Sequence, residues 1–176
     1  MPAIPLLTGP LDIAAMRSTL NTLIQSINNG VTGILYKDGS SSATAAGTSE
    51  QVLKTFSIPA GYLAVGNVVR LRAWGTCAAN ANNKTMKLYF GAAVITTPTA
   101  ASNGVNWFLD MTVIVTAAAT QTVGATGIVA TTSVTPYFVA ATEDTTAAIV
   151  AKVAGTDGTD SAGDIACKGF TIEILR

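Results

Sequence analysis

From Glu50 onward the apolar residues recur at every second position, and this period of two constrains the fold more than any other feature. Successive side chains of an extended strand point to opposite faces, so alternation marks a strand with one face in a core and one in water. In VVRLRAWGTC, Val69, Leu71, Ala73 and Cys77 share one face, while Val68, Arg70, Arg72, Trp74 and Thr76 share the other. In KTMKLYFG, Met86, Leu88 and Phe90 alternate with Thr85, Lys87 and Tyr89. The longest run, VNWFLDMTVIVT, sets Val105, Trp107, Leu109, Met111, Val113 and Val115 against Asn106, Phe108, Asp110, Thr112, Ile114 and Thr116. At ~3.4 Å per residue it spans roughly 40 Å. Residues 52–58, 121–130, 135–141, 147–154 and 165–175 read as further strands, which makes eight. Pro59-Ala60-Gly61, the Asn-rich 79–83, Ser102-Asn103-Gly104 and Thr156-Asp157-Gly158 supply turns between them. No helical segment alternates with the strands, so a parallel α/β sheet is disfavoured. The chain is expected to be mainly β, with residues 50–176 forming an antiparallel, jelly-roll-like β-sandwich.

The first fifty residues follow other rules. Residues 1–10, MPAIPLLTGP, carry three prolines, which hold the chain extended, and the aliphatic Ile4, Leu6 and Leu7, which suit an anchoring arm better than a solvated tail. Over residues 11–28, Ile13, Met16, Leu20, Leu23 and Ile27 recur at intervals of 3, 4, 3 and 4, a short heptad seam expected to be an oligomerisation helix. Pro10 and Asp12 suit its start, and Asn28-Asn29-Gly30 its end. Two heptads rarely associate unaided, and the same stripe also suits a helix packed on its own domain. Residues 29–49 read either as a linker or as a first strand plus loop, since 37–49 lack any large apolar side chain.

Composition excludes several function classes. Ten Lys and Arg balance ten Asp and Glu, which argues against nucleic acid as the main partner, because that binding rests on phosphate neutralisation. Histidine is absent, removing Ser-His-Asp, Cys-His and His-zinc chemistry. No apolar run approaches the ~20 residues of a membrane helix, and the first ten residues do not read as a signal peptide. Cys77 and Cys167 are too few for a disulfide framework and are expected to be buried reduced thiols.

Each candidate site also has a plainer structural account. Asp157, Asp160 and Asp164 offer oxygens for calcium, yet their spacing fits no calcium loop and Asp-Gly pairs are what tight turns need, so no metal is assigned. Asp110 and Glu173 lie on the polar faces of their strands with nothing in the sequence to pair them as an acid and base. The fragments Gly30-Val-Thr-Gly33 and Gly124-Ala-Thr-Gly127 lack the pattern of phosphate loops. No catalytic residues and no cofactor are expected. Arg70, Arg72 and Trp74 are a candidate surface contact, with Trp74 packed under a loop as the alternative.

KTFSIPAGYL, VRLRAWGTCAANANNKTMKLYFG, AATQ and DTTAAIVAKVAGTDGTDSAGDIACKGFTIEIL together resemble a β-sandwich module of tailed-bacteriophage virion proteins, over about residues 50–175. The resemblance implies a non-enzymatic structural protein of the virion, made in the host bacterial cytoplasm: a capsid decoration or head-fibre protein. It further implies a homotrimer that touches the major capsid protein or an adjacent virion protein, and involves neither nucleic acid nor membrane. The alternative it leaves is a tail-fibre or receptor-binding, lectin-like module, with a host glycan as partner.

Overall fold

The structure, a computed structural model, describes residues 33–176 together with Met16, Arg17 and Leu20. The chain divides into two compact units, Met1–Val31 and Thr32–Arg176. In the first, Met16, Arg17 and Leu20 are helical, and Met16 and Leu20 are exposed. The arm residues Ile4, Leu6 and Leu7 and the seam residues Ile13, Leu23 and Ile27 lie outside the described residues.

The second unit holds twelve strands: β1 (Gly33–Asp38), β2 (Ser42–Ala43), β3 (Gln51–Ile58), β4 (Val68–Cys77), β5 (Asn83–Phe90), β6 (Ala93–Thr96), β7 (Ala100–Ala101), β8 (Asn106–Ala117), β9 (Thr120–Val129), β10 (Thr132–Ala141), β11 (Ile149–Asp157) and β12 (Ile165–Leu175). One sheet runs β1-β12-β4-β8-β9-β10 with β2 beside β12, and the other runs β3-β11-β5-β6 with β7 beside β5. Every pairing is antiparallel, and the two sheets form a β-sandwich. The principal pairs are nested: β1 with β12, β3 with β11, β4 with β8 and β5 with β6. That is a long hairpin rolled across two sheets, the order of a jelly roll. The β9–β10 hairpin is an addition that widens the first sheet.

All eight strands expected from alternation are present, but they are not the eight of the jelly roll. The roll needs β1 and β6: β1 is the first strand that residues 29–49 offered as the alternative to a linker, bulged between Ile34 and Tyr36, and β6, four residues long, is too short for alternation to show. Residues 37–49, whose composition suggests a linker, are tied to the sandwich through groups that composition does not report. Ser42 and Ala43 pair with β12, Thr44 is buried, and Lys54 reaches Asp38 at 2.9 Å. The Gln51 side chain clips both the N–H and the C=O of Ala45.

One contiguous core lies between the sheets. Val69, Leu71 and Ala73 of β4, Leu109, Met111 and Val113 of β8, and Phe170, Ile172 and Ile174 of β12 meet Met86, Leu88 and Phe90 of β5 and Ala151 and Val153 of β11. Each large side chain so buried contributes roughly 1.5–3 kcal/mol. Gly75 is required at its place, since a Cβ there would run into the Ala166 carbonyl and the Trp107 indole.

The Asn-rich loop before β5 closes over a buried polar cluster. Lys84, fully buried, donates to Asn80 Oδ1 at 2.7 Å and to the Asn82 carbonyl at 2.9 Å. Asp164 accepts the amides of Asn80 and Asn82 at 2.7 and 2.8 Å. Asp157, opposite Lys84 in the β11–β5 register, is buried with neither carboxylate oxygen hydrogen-bonded. Burial pushes its pKa up, an effect that the neighbouring Thr44 and Lys84 offset only in part. A raised folded-state pKa means that this group's contribution to stability is lost as pH climbs from the ordinary carboxylate range through the folded value. Asp157→Asn, uncharged throughout, should therefore raise the melting temperature at pH 7, with the gain shrinking on acidification toward pH 4. Thermal melts across that range test it, and a loss at pH 7 would show that the carboxylate is needed against Lys84.

Candidate functional site

The outward face of the seven-stranded sheet gathers the candidate surface residues. Arg70, Arg72 and Trp74 project from β4 as its alternation requires, and the register puts Thr112, Asp110 and Phe108 of β8 opposite them in that order. On the other side β12 places Glu173 opposite Arg70 and Thr171 opposite Arg72.

At the centre of this face the charges pair with one another, while Lys37 of β1, opposite Thr171, is an exposed cation toward the edge. The Arg70 Nε donates to both Asp110 oxygens at 3.2 and 3.0 Å, and its Nη2 also reaches Oδ2. Arg72 donates to Asp110 through Nε at 3.3 Å and approaches Glu173 at 3.7 Å. Asp110 keeps only 9% of its surface exposed although it stands on an outer face, because two guanidinium groups lie over it. The carboxylate holds the Arg70 guanidinium above its ordinary pKa, chiefly through these hydrogen bonds. Asp110 and Glu173, which the sequence leaves unpaired, are thus joined through Arg72, in a bridge rather than as an acid and base facing a cleft.

Around this network stand large apolar side chains, Trp74 among them, that extend the candidate contact beyond β4. Trp74 pairs with Phe108, and Phe108 with Ile128, in a row across β4, β8 and β9. Phe138 on β10 is 81% exposed and its ring lies against Gly124. Trp74 does not sit under a loop: its indole lies over Gly169 at the bulge of β12, where a Cβ would collide with it. Phe108 and Ile114 were legible as large apolar residues in the polar register of their strand. Phe138 was not, because β10 carries a bulge between Val134 and Tyr137 that shifts its alternation. Asp110, Thr112, Gly124, Thr126, Pro136 and Phe138 border a shallow groove of about 440 Å³ on this face.

The remaining candidates separate. Asp160 is exposed while Asp157 and Asp164 are buried, and the cation beside those two is the Lys84 ammonium. Among the described residues no three His, Cys, Asp or Glu side chains converge to hold a metal ion. Cys77 and Cys167 are free and buried, and burial pushes both thiols up to about 11.

Removing Asp110 strands the Arg70 guanidinium and leaves Arg72 with Glu173 alone. Asp110→Ala should cost about 1.5–3 kcal/mol of stability, toward the low end because both arginines reach water, and Asp110→Asn should cost less. Chemical denaturation measures the difference, and an unchanged midpoint would mean that the network contributes nothing. No protein-family model matches the chain, and neither a curated protein nor a solved structure matches it.

Proposed function

We propose that the chain is a non-enzymatic structural protein of a bacteriophage virion, a capsid decoration or head-fibre protein that assembles as a homotrimer after synthesis in the host cytoplasm. The observation that carries the reading is the outward face of the seven-stranded sheet, where exposed aromatic and aliphatic side chains surround charges already spent on one another. Such a face is built for contact rather than chemistry.

The residues that carry the resemblance have structural jobs, which supports the same reading. Pro59-Ala60-Gly61 makes the turn leaving β3, with the Tyr62 N–H donating to the Pro59 carbonyl at 3.1 Å and Gly61 at a φ of 69°. The Trp-Gly step of β4 places Trp74 outward and gives Trp107 room at Gly75. The Asn-rich turn holds Lys84 and Asp164.

In this reading the 11–28 helix gathers the subunits about an axis and the 1–10 arm attaches them to the major capsid protein or a neighbouring virion protein. An extended apolar segment of that kind orders on its partner through backbone pairing and side-chain pockets. A second reading, a receptor-binding lectin-like module of a tail fibre, is favoured by the groove between Asp110 and Phe138, where an aromatic ring, a carboxylate and threonine hydroxyls adjoin, as they do in sugar sites. Glycan arrays and images of particles separate the two: a lectin binds sugar and sits at the tail, a decoration protein studs the head.

Leu20→Asp puts a carboxylate into the seam at a cost of several kcal/mol per assembly. Light scattering should show subunits separating while circular dichroism keeps its β signal, and joint loss of both would place the helix in a folded core instead. Removing residues 2–9 should leave oligomeric state and melting temperature nearly unchanged but weaken attachment to stripped particles sharply. Burial of Ile4, Leu6 and Leu7 would contribute roughly 1.5–3 kcal/mol each before ordering costs. Unchanged attachment would move the anchor to the β-domain.

A further inference from the structure

The two outer faces of the sandwich are made differently. On the five-stranded sheet Glu50 accepts hydrogen bonds from Lys87 at 2.7 Å and Tyr89 at 2.9 Å, and the Lys152 ammonium stands 4.3 Å from the centre of the Tyr89 ring. That face is polar, with Val52 and Val150 its exposed large aliphatics. On the seven-stranded sheet the exposed apolar side chains form cross-strand rows instead. Trp74, Phe108 and Ile128 make one row, Ile114 follows the same register further along β8, and Phe138 stands over Gly124 near the edge.

Charge decides what can cover this second face. Two arginines and two carboxylates meet at its centre and pair with each other, with the Asp110 side chain only 12% exposed. A charged partner would be drawn by unmatched charge, and these four groups leave none at the centre, with Lys37 on the edge strand β1 the exposed cation beside them. The surface that fits is mainly apolar with its central charges paired internally, and a second copy of this chain presents such a face. The short heptad seam supplies the need, because two heptads are too few to hold subunits without a further contact.

We infer that the outward face of the seven-stranded sheet is the contact between copies of this chain, with Phe138 as its anchor. The inference rests on the reading that the chain self-associates, and it names the surface that does so. Aromatic side chains dominate the energetics of such contacts, and Phe138 contributes little to its own domain, being 81% exposed.

The test compares the full chain with Phe138→Asp, Phe138→Ser and, as a control on the opposite sheet, Lys152→Ser. Sedimentation across a dilution series should show the dissociation constant rising at least a hundredfold for both Phe138 variants and staying unchanged for Lys152→Ser, with the β circular dichroism intact throughout. Acrylamide quenching adds a local readout, since Trp107 is 2% exposed and Trp74 is 39% exposed, so a change in quenching reports Trp74. Quenching should be low in the assembled wild type, and it should rise on dilution and in the Phe138 variants. If the wild type assembles but the Phe138 variants assemble equally well, with Trp74 quenched to the same degree, the face is open and the inference falls while self-association stands. Glycan binding lost in those variants with assembly intact would overturn it in favour of a sugar. A monomeric wild type at micromolar concentration would remove the self-association reading itself, and the inference with it.

Discussion

The register of β4 between β12 and β8 is the constraint on which the rest of the domain depends. It puts Val69, Leu71 and Ala73 into the core and Arg70, Arg72 and Trp74 outside, opposite matching residues of both neighbours. A slip of one residue would exchange the two sets, burying two arginines and an indole while exposing the aliphatics. Nothing of that kind is tolerable in a core closed on its other side by Met86, Leu88 and Phe90. The nested pairing of the jelly roll then follows, since β12 is held by both β1 and β4 and so joins the two ends of the domain.

Charge is used in two opposite ways. At the Asn-rich loop a lysine and two aspartates are taken inside, where loop carbonyls and amides replace water around Lys84 and Asp164 but leave the Asp157 oxygens without donors. On the outward face of the seven-stranded sheet four charged groups remain near solvent but neutralise each other, so what the face offers a partner is its apolar rows. The first arrangement ties a loop to the sandwich. The second leaves the centre of the face free of unpaired charge, so that covering it would strand none.

Much of this was legible in the sequence because side-chain alternation is a direct consequence of strand geometry. The inward sets of β4, β5 and β8 were readable residue by residue, and so was the outward placement of Arg70, Arg72 and Trp74. What was not legible lies where backbone pairing, rather than side-chain pattern, holds the chain. Ser42 and Ala43 have no apolar signal yet pair with Cys167 and Ala166. Phe138 is hidden by the bulge at Thr135 and Pro136, which breaks the period on which the reading relied. The bridge from Asp110 through Arg72 to Glu173 joins residues more than sixty positions apart, which only the strand order brings together.

The proposed contact ties fold to function, because the same register that fixes the core decides which side chains the outward face presents. Hydroxyl-radical footprinting of the full chain at micromolar concentration, read by mass spectrometry and compared with a sample diluted until dissociated, tests that connection most directly. A covered face predicts that Phe138, Phe108 and Trp74 are modified several-fold less in the assembled sample, with Tyr89 on the opposite sheet reacting equally in both. Phe138 reacting at the same rate in the assembled and dissociated chain would contradict it.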